Sequence, residues 1–341
     1  HPLMPAILPQ SPTQPLLFTV ITPTRPLTAT QLFASEIAAG RLRVVYLPYD
    51  APPLVRRFLA RFAPRCGVIM ETELWPGLLD AAARAGVPMV LVNARLSARS
   101  ARGYARFGSL TRTMLASLAA VAAQDEADAA RLAELGAPAP TVTGNIKFDI
   151  APPAAQLALG ASFRTACGTR PVVLLASSRE GEEALALTAW SAAERGDALL
   201  VIVPRHPQRV EDVATLIARH GLACKRRSQD LPDAGCAVWL GDSMGEMFAY
   251  YAAADVALIG GSWLPFGGQN LIEACAVGTP VLLGPHTFNF ARIAEDAIAS
   301  RAACRAADMG EGITQALALL RDAATRTAIA NAGTAFAAQH R

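Results

Sequence analysis

Charged residues are scarce in this chain, 17% of 341, and aromatic residues scarcer still at 6%. Low charge does not signal disorder here, because 52% of the residues are hydrophobic and can bury a core. Long basic runs are missing, and the formal net charge is only +3, which excludes a nucleic-acid footprint. The slight positive excess suits an acidic lipid or a nucleotide without choosing between them. The six cysteines contain no CxxC pair and the five histidines no HxxxH or HxH spacing. These absences exclude a zinc site and a disulfide framework. Cys66, Cys167, Cys224, Cys236, Cys275 and Cys304 read instead as small buried hydrophobes in a reducing compartment. No apolar run reaches the ~18 residues that span a bilayer. No signal peptide is visible and no short-period repeat marks a solenoid. The chain opens HPLMPAILPQ, without an initiator Met and as if within a helix, so it reads as part of a longer protein.

What remains is a regular alternation. Apolar or β-branched runs of strand length occur at 16–22, 44–47, 68–70, 89–92, 118–123 and 141–143. Helix-length segments lie between them at 28–38, 53–62, 74–85, 109–116 and 126–135. Around Pro152-Pro153 the pattern breaks, and a helical piece at 154–167 follows. The design then repeats, with strands at 172–176, 198–203, 223–226, 237–240, 256–259 and 281–283. Its helices fall at 181–194, 208–220, 244–253, 271–277, 290–298 and 310–339. This predicts an α/β protein of two Rossmann-like domains, residues 1–152 and 153–341, each a parallel sheet covered by helices. Ligand is expected in the cleft between them, at the carboxyl ends of the strands.

The stretch 260–273, GGSWLPFGGQNLIE, stands out. A strand leads into two glycine pairs and then into Asn270 with Glu273 three residues on, the pattern of a capped helix start. Such a junction can turn backbone N–H groups toward an anion, and it also occurs with no ligand in any α/β domain. Seven more polar clusters fall at expected strand ends, the last of them Gly284-Pro285-His286-Thr287-Phe288-Asn289-Phe290 after 281–283. Met70-Glu71-Thr72-Glu73 offers two carboxylates, of which Glu73 fits helix capping by Thr72 better than Glu71 does. The segment at 93–100, NARLSARS, reads either as a phosphate-facing arm or as a solvated loop. Lys147 in GNIKFD is either a charge stabiliser or a surface lysine. Ser177-Ser178-Arg179-Glu180-Gly181-Glu182-Glu183 opens a helix, and Arg205 stands on a stiff loop between Pro204 and Pro207. Ser243 and Glu246 form a candidate capping box.

Taken together, METELWP (70–76), NARLSARS, GNIKFD, VPRHP, GDSMGE, GGQNLIEA and GPHTFNF resemble the 3-deoxy-D-manno-octulosonic acid (Kdo) transferases of lipopolysaccharide biosynthesis, over nearly the whole chain. The resemblance implies a GT-B fold, two Rossmann-like domains facing across a cleft. It implies inverting transfer of Kdo from CMP-Kdo to lipid IVA, without a metal or other cofactor, at the cytoplasmic face of the bacterial inner membrane. It places CMP contacts on Pro204, Arg205, Met244, Gly245, Glu246, Asn270, Leu271, Ile272 and Glu273, and transition-state stabilisation on Glu71 and Lys147. The family's general-base Glu, in a Ser-Val-Gly-Glu motif, is expected before His1, together with the first strand and a hydrophobic membrane-touching segment. Arg179 stands where the family usually has His. The alternatives are another GT-B nucleotide-sugar transferase or epimerase, and a non-catalytic nucleotide-binding remnant.

Overall fold

A computed structural model describes residues 15–21 and 33–339 except 147, 148 and 150, together with 4, 7 and 30. The helix expected over the opening residues, the start of the helix at 28–38 and Lys147 lie outside these residues. The chain forms two compact units, His1–Asp149 and Ile150–Arg341.

In the first unit β1 (Leu16–Val20) and β2 (Leu42–Tyr46) make a parallel pair. A separate parallel sheet runs β3 (Gly67–Met70), β4 (Met89–Ala94), β5 (Ala120–Ala123) and β6 (Thr141–Val142) in that order. Leu79, Leu91, Leu115 and Leu132 lie within its core. The helix Pro52–Phe62 begins on two prolines, where missing N–H groups cost nothing, and buries Val55 and Leu59 one turn apart. The next helix starts at Pro76 rather than 74, and Thr72 does not cap it. Asp50 does that from another loop, its carboxylate accepting from the Gly77 and Leu78 N–H groups at 2.8 and 2.7 Å. The segment read as an arm or loop after β4 is a helix, Ala98–Ala105, because Ser97 caps it by accepting from the Ser100 N–H.

The second unit holds one seven-stranded sheet, parallel throughout. Its strands are β7 (Val172–Ser178), β8 (Leu199–Pro204), β9 (Cys224–Arg226), β10 (Val238–Leu240), β11 (Val256–Ile259), β12 (Val281–Leu283) and β13 (Ala303–Arg305). The spatial order is β13-β12-β11-β7-β8-β10-β9. The chain starts at β7, winds outward on one side, then returns to β11 on the other. This reversal is a topological switch point, and all strands end on the same edge. β7, β8, β11 and β12 are buried on both faces, which is why they read as unbroken apolar runs.

Three expectations need correction. β13 was too short and too polar to register as a strand. The long helix at 310–339 is two, Met309–Arg321 and Ala323–Gln339. Asp322 breaks it by accepting from the Thr325 N–H at 3.0 Å and hydroxyl at 2.6 Å, a local alternative to helical bonding. Only Cys167, Cys236 and Cys275 are buried; Cys66 and Cys224 are exposed and Cys304 is intermediate, so residue type alone misplaced them.

Gly260 follows β11 so closely on β7 that a Cβ there would lie 2.3 Å from the Ser177 carbonyl oxygen. Gly260→Ala is therefore expected to cost about 1–3 kcal/mol through forced separation of the two strand ends. Gly103→Ala, where a Cβ meets open space on a helix, should be neutral or stabilising by up to about 1 kcal/mol. Equal melting temperatures for the two variants would contradict this packing.

Candidate functional site

At the switch point the loops leaving β7 and β11 are joined by one carboxylate. Glu182, in the first turn of the helix Glu182–Ala192, is fully buried. Its Oε2 accepts from the Gly261 N–H and the Arg179 N–H, both at 2.8 Å. Its Oε1 accepts from the Trp263 N–H at 3.0 Å and the Leu264 N–H at 3.4 Å. The glycine loop thus does gather N–H groups around an anion, and the anion belongs to the protein. The expectation that Gly260 and Gly261 cradle a ligand phosphate is overturned. The Gly260 N–H goes to the Ala176 carbonyl, the Gly261 N–H to Glu182, and the Gly268 N–H to the Gly261 carbonyl. The far side of the loop is tied to β12, with Ser262 Oγ accepting from the Gly284 N–H at 2.9 Å. Gly267 takes a φ of 92°, strained for any side chain, and a Cβ there would also press on the Asn289 amide, 2.3 Å away.

Glu183 is buried beside it but solved differently. Arg209 Nη1 lies 3.0 Å from its Oε1, and Ser178 donates to the same oxygen at 2.8 Å. Nothing in the sequence separates these two acids from ordinary helix-start acids, since their partners lie far along the chain.

The expected donor-site residues fall on this same edge. Arg205 follows β8, is exposed, and is anchored through its own N–H to the Ser178 carbonyl at 3.0 Å. No hydrogen bond or ion pair of its guanidinium occurs among the described residues. Glu273 is half-buried; burial raises its carboxyl pKa, opposed by its contact with Asn270 and by the positive charge of Arg205. The structure therefore brings Arg205 and Glu273 within electrostatic reach. Asn270 stands one residue before the N-cap position, which Leu271 fills without a side-chain bond, so the expected cap does not form; its Oδ1 instead accepts from the Ile272 N–H at 3.0 Å in a local turn. The helix that follows, Ile272–Ala276, is barely one turn, so little macrodipole stands behind it. The Leu271 and Ile272 side chains are buried in the core, which leaves only their backbone for any ligand.

Pro204 closes β8 and is buried. Met244 is 66% exposed and Gly245 takes a left-handed φ of 79°. The Ser243–Glu246 capping box does not form, because the helix begins only at Met247. Ser243 instead donates directly to the Glu246 carboxylate at 2.5 Å, and Arg227 holds the other side at 3.2 Å.

In the first unit the carboxyl ends of β3 to β6 gather Glu71, Asn93, Gln124 and Asn145. Glu71 and Asn93 are non-glycine residues in left-handed backbone, with φ of 56° and 53°. Such strain costs on the order of 1 kcal/mol per residue and needs surrounding structure to hold it. Asn93 lies at an irregularity in β4, as Ser177 (φ 54°) does in β7, so each of these two sheets bends one strand at its carboxyl edge. Asn93 accepts from the Ile146 N–H at 3.1 Å, Gln124 donates to the Asn93 carbonyl at 3.0 Å, and Asn145 donates to Gln124 at 3.1 Å. Gln124 was missed in the sequence, where it follows an alanine-rich strand with no motif around it.

Comparison with known proteins gives these arrangements a context. Residues 1–150 match the family described as 3-deoxy-D-manno-octulosonic-acid transferase (kdotransferase). The 3-deoxy-D-manno-octulosonic acid transferase of Bordetella pertussis is 49% identical over 347 residues, covering 100% of this chain and 80% of that protein. The C-terminal CMP-Kdo binding domain of WaaA from Acinetobacter baumannii is 30% identical with a TM-score of 0.52, covering 53% of this chain and 97% of that one. UDP-GlcNAc 2-epimerase from Neisseria meningitidis, bound to UDP-GlcNAc, has a TM-score of 0.58 at 15% identity over 96% of this chain and 90% of its own, a likeness of fold alone.

Burial raises the Glu182 carboxyl pKa above its usual 4.5, and its N–H bonds offset part of the rise. Between 4.5 and the raised value the folded state keeps a proton that the unfolded state has lost. Stability should therefore fall as pH rises through that interval. Glu182→Gln cannot ionise and offers one acceptor oxygen instead of two. It should lose about 1–3 kcal/mol at neutral pH and lack that pH slope. Parental stability and an unchanged slope in chemical denaturation across pH would remove Glu182 from its central place.

Proposed function

The chain belongs to the 3-deoxy-D-manno-octulosonic acid (Kdo) transferase family, and from that premise we propose how its residues carry the transfer. It is a glycosyltransferase of lipopolysaccharide biosynthesis with the α/β architecture of GT-B enzymes. The epimerase alternative gives way, because that likeness is of fold alone while the transferase identity spans the whole chain.

The donor is CMP-Kdo, held by the second unit, residues 153–341 in the sequence division, and the acceptor is handled by residues 1–152. The observation that carries this reading is the set of groups at the carboxyl edge of the seven-stranded sheet. There Arg205, exposed and with an uncommitted guanidinium, lies within electrostatic reach of half-buried Glu273. A guanidinium in that setting suits the CMP phosphate, and a carboxylate suits ribose hydroxyls, which donate to it. Pro204 stiffens the approach to Arg205. Asn270 fixes the Leu271-Ile272 backbone and Glu273 beside it. Met244 and Gly245 present an exposed thioether and open backbone to the cytosine face, with Glu246 held by Arg227 behind them.

In the transfer an acceptor hydroxyl oxygen bonds to the anomeric carbon as the bond from that carbon to the CMP phosphate oxygen breaks. The hydroxyl proton leaves to a base, and negative charge grows on the departing phosphate. Arg205 meets that charge, and we assign Glu71 and Lys147 to stabilising the transition state. The strained backbone at Glu71 supports a functional role for it, since strain of this kind collects where a side chain must be aimed.

For the acceptor we favour lipid IVA at the cytoplasmic face of the inner membrane. No helix among the described residues is long and apolar enough to cross a membrane. The helix Pro52–Phe62 instead exposes Arg56, Arg57 and Arg61. Leu54, Arg57, Phe58 and Arg61 line an open groove of about 610 Å³. Cations mixed with apolar surface suit a phosphorylated, acylated lipid on a membrane.

Calorimetry should show CMP binding tighter than UDP. Arg205→Ala should weaken CMP by roughly 10–100-fold, the worth of a charge-assisted bond. Equal affinity for CMP and UDP, or parental affinity in Arg205→Ala, would count against this donor site. In a transfer assay with CMP-Kdo and lipid IVA, Glu71→Gly should cut kcat more than a hundredfold, on the order of an electrostatic stabiliser's worth. Its melting temperature should stay close to the parent's, because glycine accepts the left-handed φ. Retained turnover would show that Glu71 is not part of the chemistry.

A further inference from the structure

We infer that Arg179 binds the carboxylate of the donor's sugar acid, and so separates CMP-Kdo from nucleotide-linked sugars that lack an acid group. This rests on the donor site proposed above and adds a second anion contact to it.

Arg179 leaves the end of β7 at the switch point. Its backbone is fixed, with its N–H donating to Glu182 Oε2 at 2.8 Å. Its guanidinium carbon lies 4.7 Å from the centre of the Phe266 ring. Phe266 is itself fixed in the glycine loop, its carbonyl accepting from the Asn289 amide at 2.9 Å. The loop that carries the cation and the loop that carries the ring are therefore joined by one buried carboxylate, and the guanidinium is held over the ring before any ligand arrives. Stacking engages the face of a guanidinium and leaves its N–H edges free.

Those edges are unused. Among the described residues the Arg179 guanidinium makes no hydrogen bond and no ion pair. Two other arginines near this edge are committed, Arg209 to Glu183 at 3.0 Å and Arg227 to Glu246 at 3.2 Å. Glu182, whose carboxylate is bonded by the Arg179 N–H, has its oxygens occupied by backbone N–H groups. Arg179 is also partly accessible. A preorganised, unpaired fork of this kind matches a carboxylate in bidentate geometry.

A carboxylate is what the donor supplies beyond its nucleotide. An octulosonic acid linked through CMP carries two negative groups, the phosphate and the sugar carboxylate, and that carboxylate is attached to the reacting carbon. The site offers two uncommitted guanidiniums on neighbouring strand ends. They are tied to each other by the Arg205 N–H bonded to the Ser178 carbonyl, one residue before Arg179. With Arg205 on the phosphate, Arg179 is left for the acid. Holding that carboxylate orients the anomeric carbon for attack.

The test compares binding of CMP and of CMP-Kdo, by calorimetry and by competition, in the parent chain, Arg179→Gln, Arg179→Lys and Phe266→Leu. Arg179→Gln should weaken CMP-Kdo by at least about tenfold and leave CMP within about twofold. Arg179→Lys, which keeps charge but not the fork, should recover part of the loss. Phe266→Leu, which keeps the cation and removes its platform, should weaken CMP-Kdo selectively by a smaller factor. A structural stacking role would lower the melting temperature and move both ligands together, which overturns the inference. So would an Arg179→Gln variant with both affinities unchanged. A parent that binds neither ligand would refute the donor site itself. A parent that binds CMP, with Arg179 variants that do not discriminate, would refute only the role of Arg179.

Discussion

The second unit depends on where one negative charge is placed. Glu182 is a carboxylate buried at the switch point of a parallel sheet, a position where an isolated charge would be prohibitive. It is tolerable because four backbone N–H groups converge on it from two loops. Those same N–H groups would otherwise be buried without partners, so carboxylate and loops satisfy each other. The glycines follow from this arrangement. Gly260 must let β11 leave against β7, and Gly261 must turn with φ at 71° to bring its N–H to the carboxylate. The loop is a protein-anion nest first, and any ligand has to be met by groups that remain.

The same device appears in the other unit. Asp50 sits on the N–H groups of Gly77 and Leu78 at the start of the helix Pro76–Arg84. Both cases explain why sequence patterns resolved the frame better than the site. The strand–helix alternation is local, and β3, β4, β7, β8, β11 and β12 fall where apolar runs placed them. Caps were read as local too, with Thr72, Ser243 and Glu246 assigned to the helices beside them. The structure hands the first role to a residue in a different loop and turns the second pair into a side-chain bond under Arg227. The pairing of Glu182 with Gly261 spans 79 residues and leaves no trace in spacing. The candidate residues at strand ends were legible because a parallel sheet sends every carboxyl terminus to one edge. What each of them touches there was not.

Strain supplies a second constraint, and it too sits at strand ends. Glu71, Asn93 and Ser177 each adopt a left-handed conformation that a β-strand would not choose. In Asn93 the cost is shared with a polar relay through Ile146, Gln124 and Asn145, which pins the turn leading into Lys147 to the edge of β4 and β5. In Ser177 it is shared with the strand irregularity that lets Ser178 reach Glu183. Backbone distortion of this kind re-aims side chains by a fixed angle, which a flexible loop would not do.

On the proposed donor site, these placements let a chain of such modest charge address a doubly anionic donor. A net charge of +3 spread over 341 residues steers little. What matters is which cations remain unspent. Near the edge of the seven-stranded sheet Glu183 consumes Arg209 and Glu246 consumes Arg227. Glu182 consumes no side chain at all, because backbone N–H groups neutralise it. Had it been paired with a guanidinium instead, Arg179 would be the nearest to serve, given that its own N–H already reaches the carboxylate. Satisfying that buried charge with main-chain dipoles leaves Arg179 on its aromatic platform and Arg205 on the neighbouring strand both free, so the structural solution for one buried anion is what keeps two cations open for the anions of a ligand.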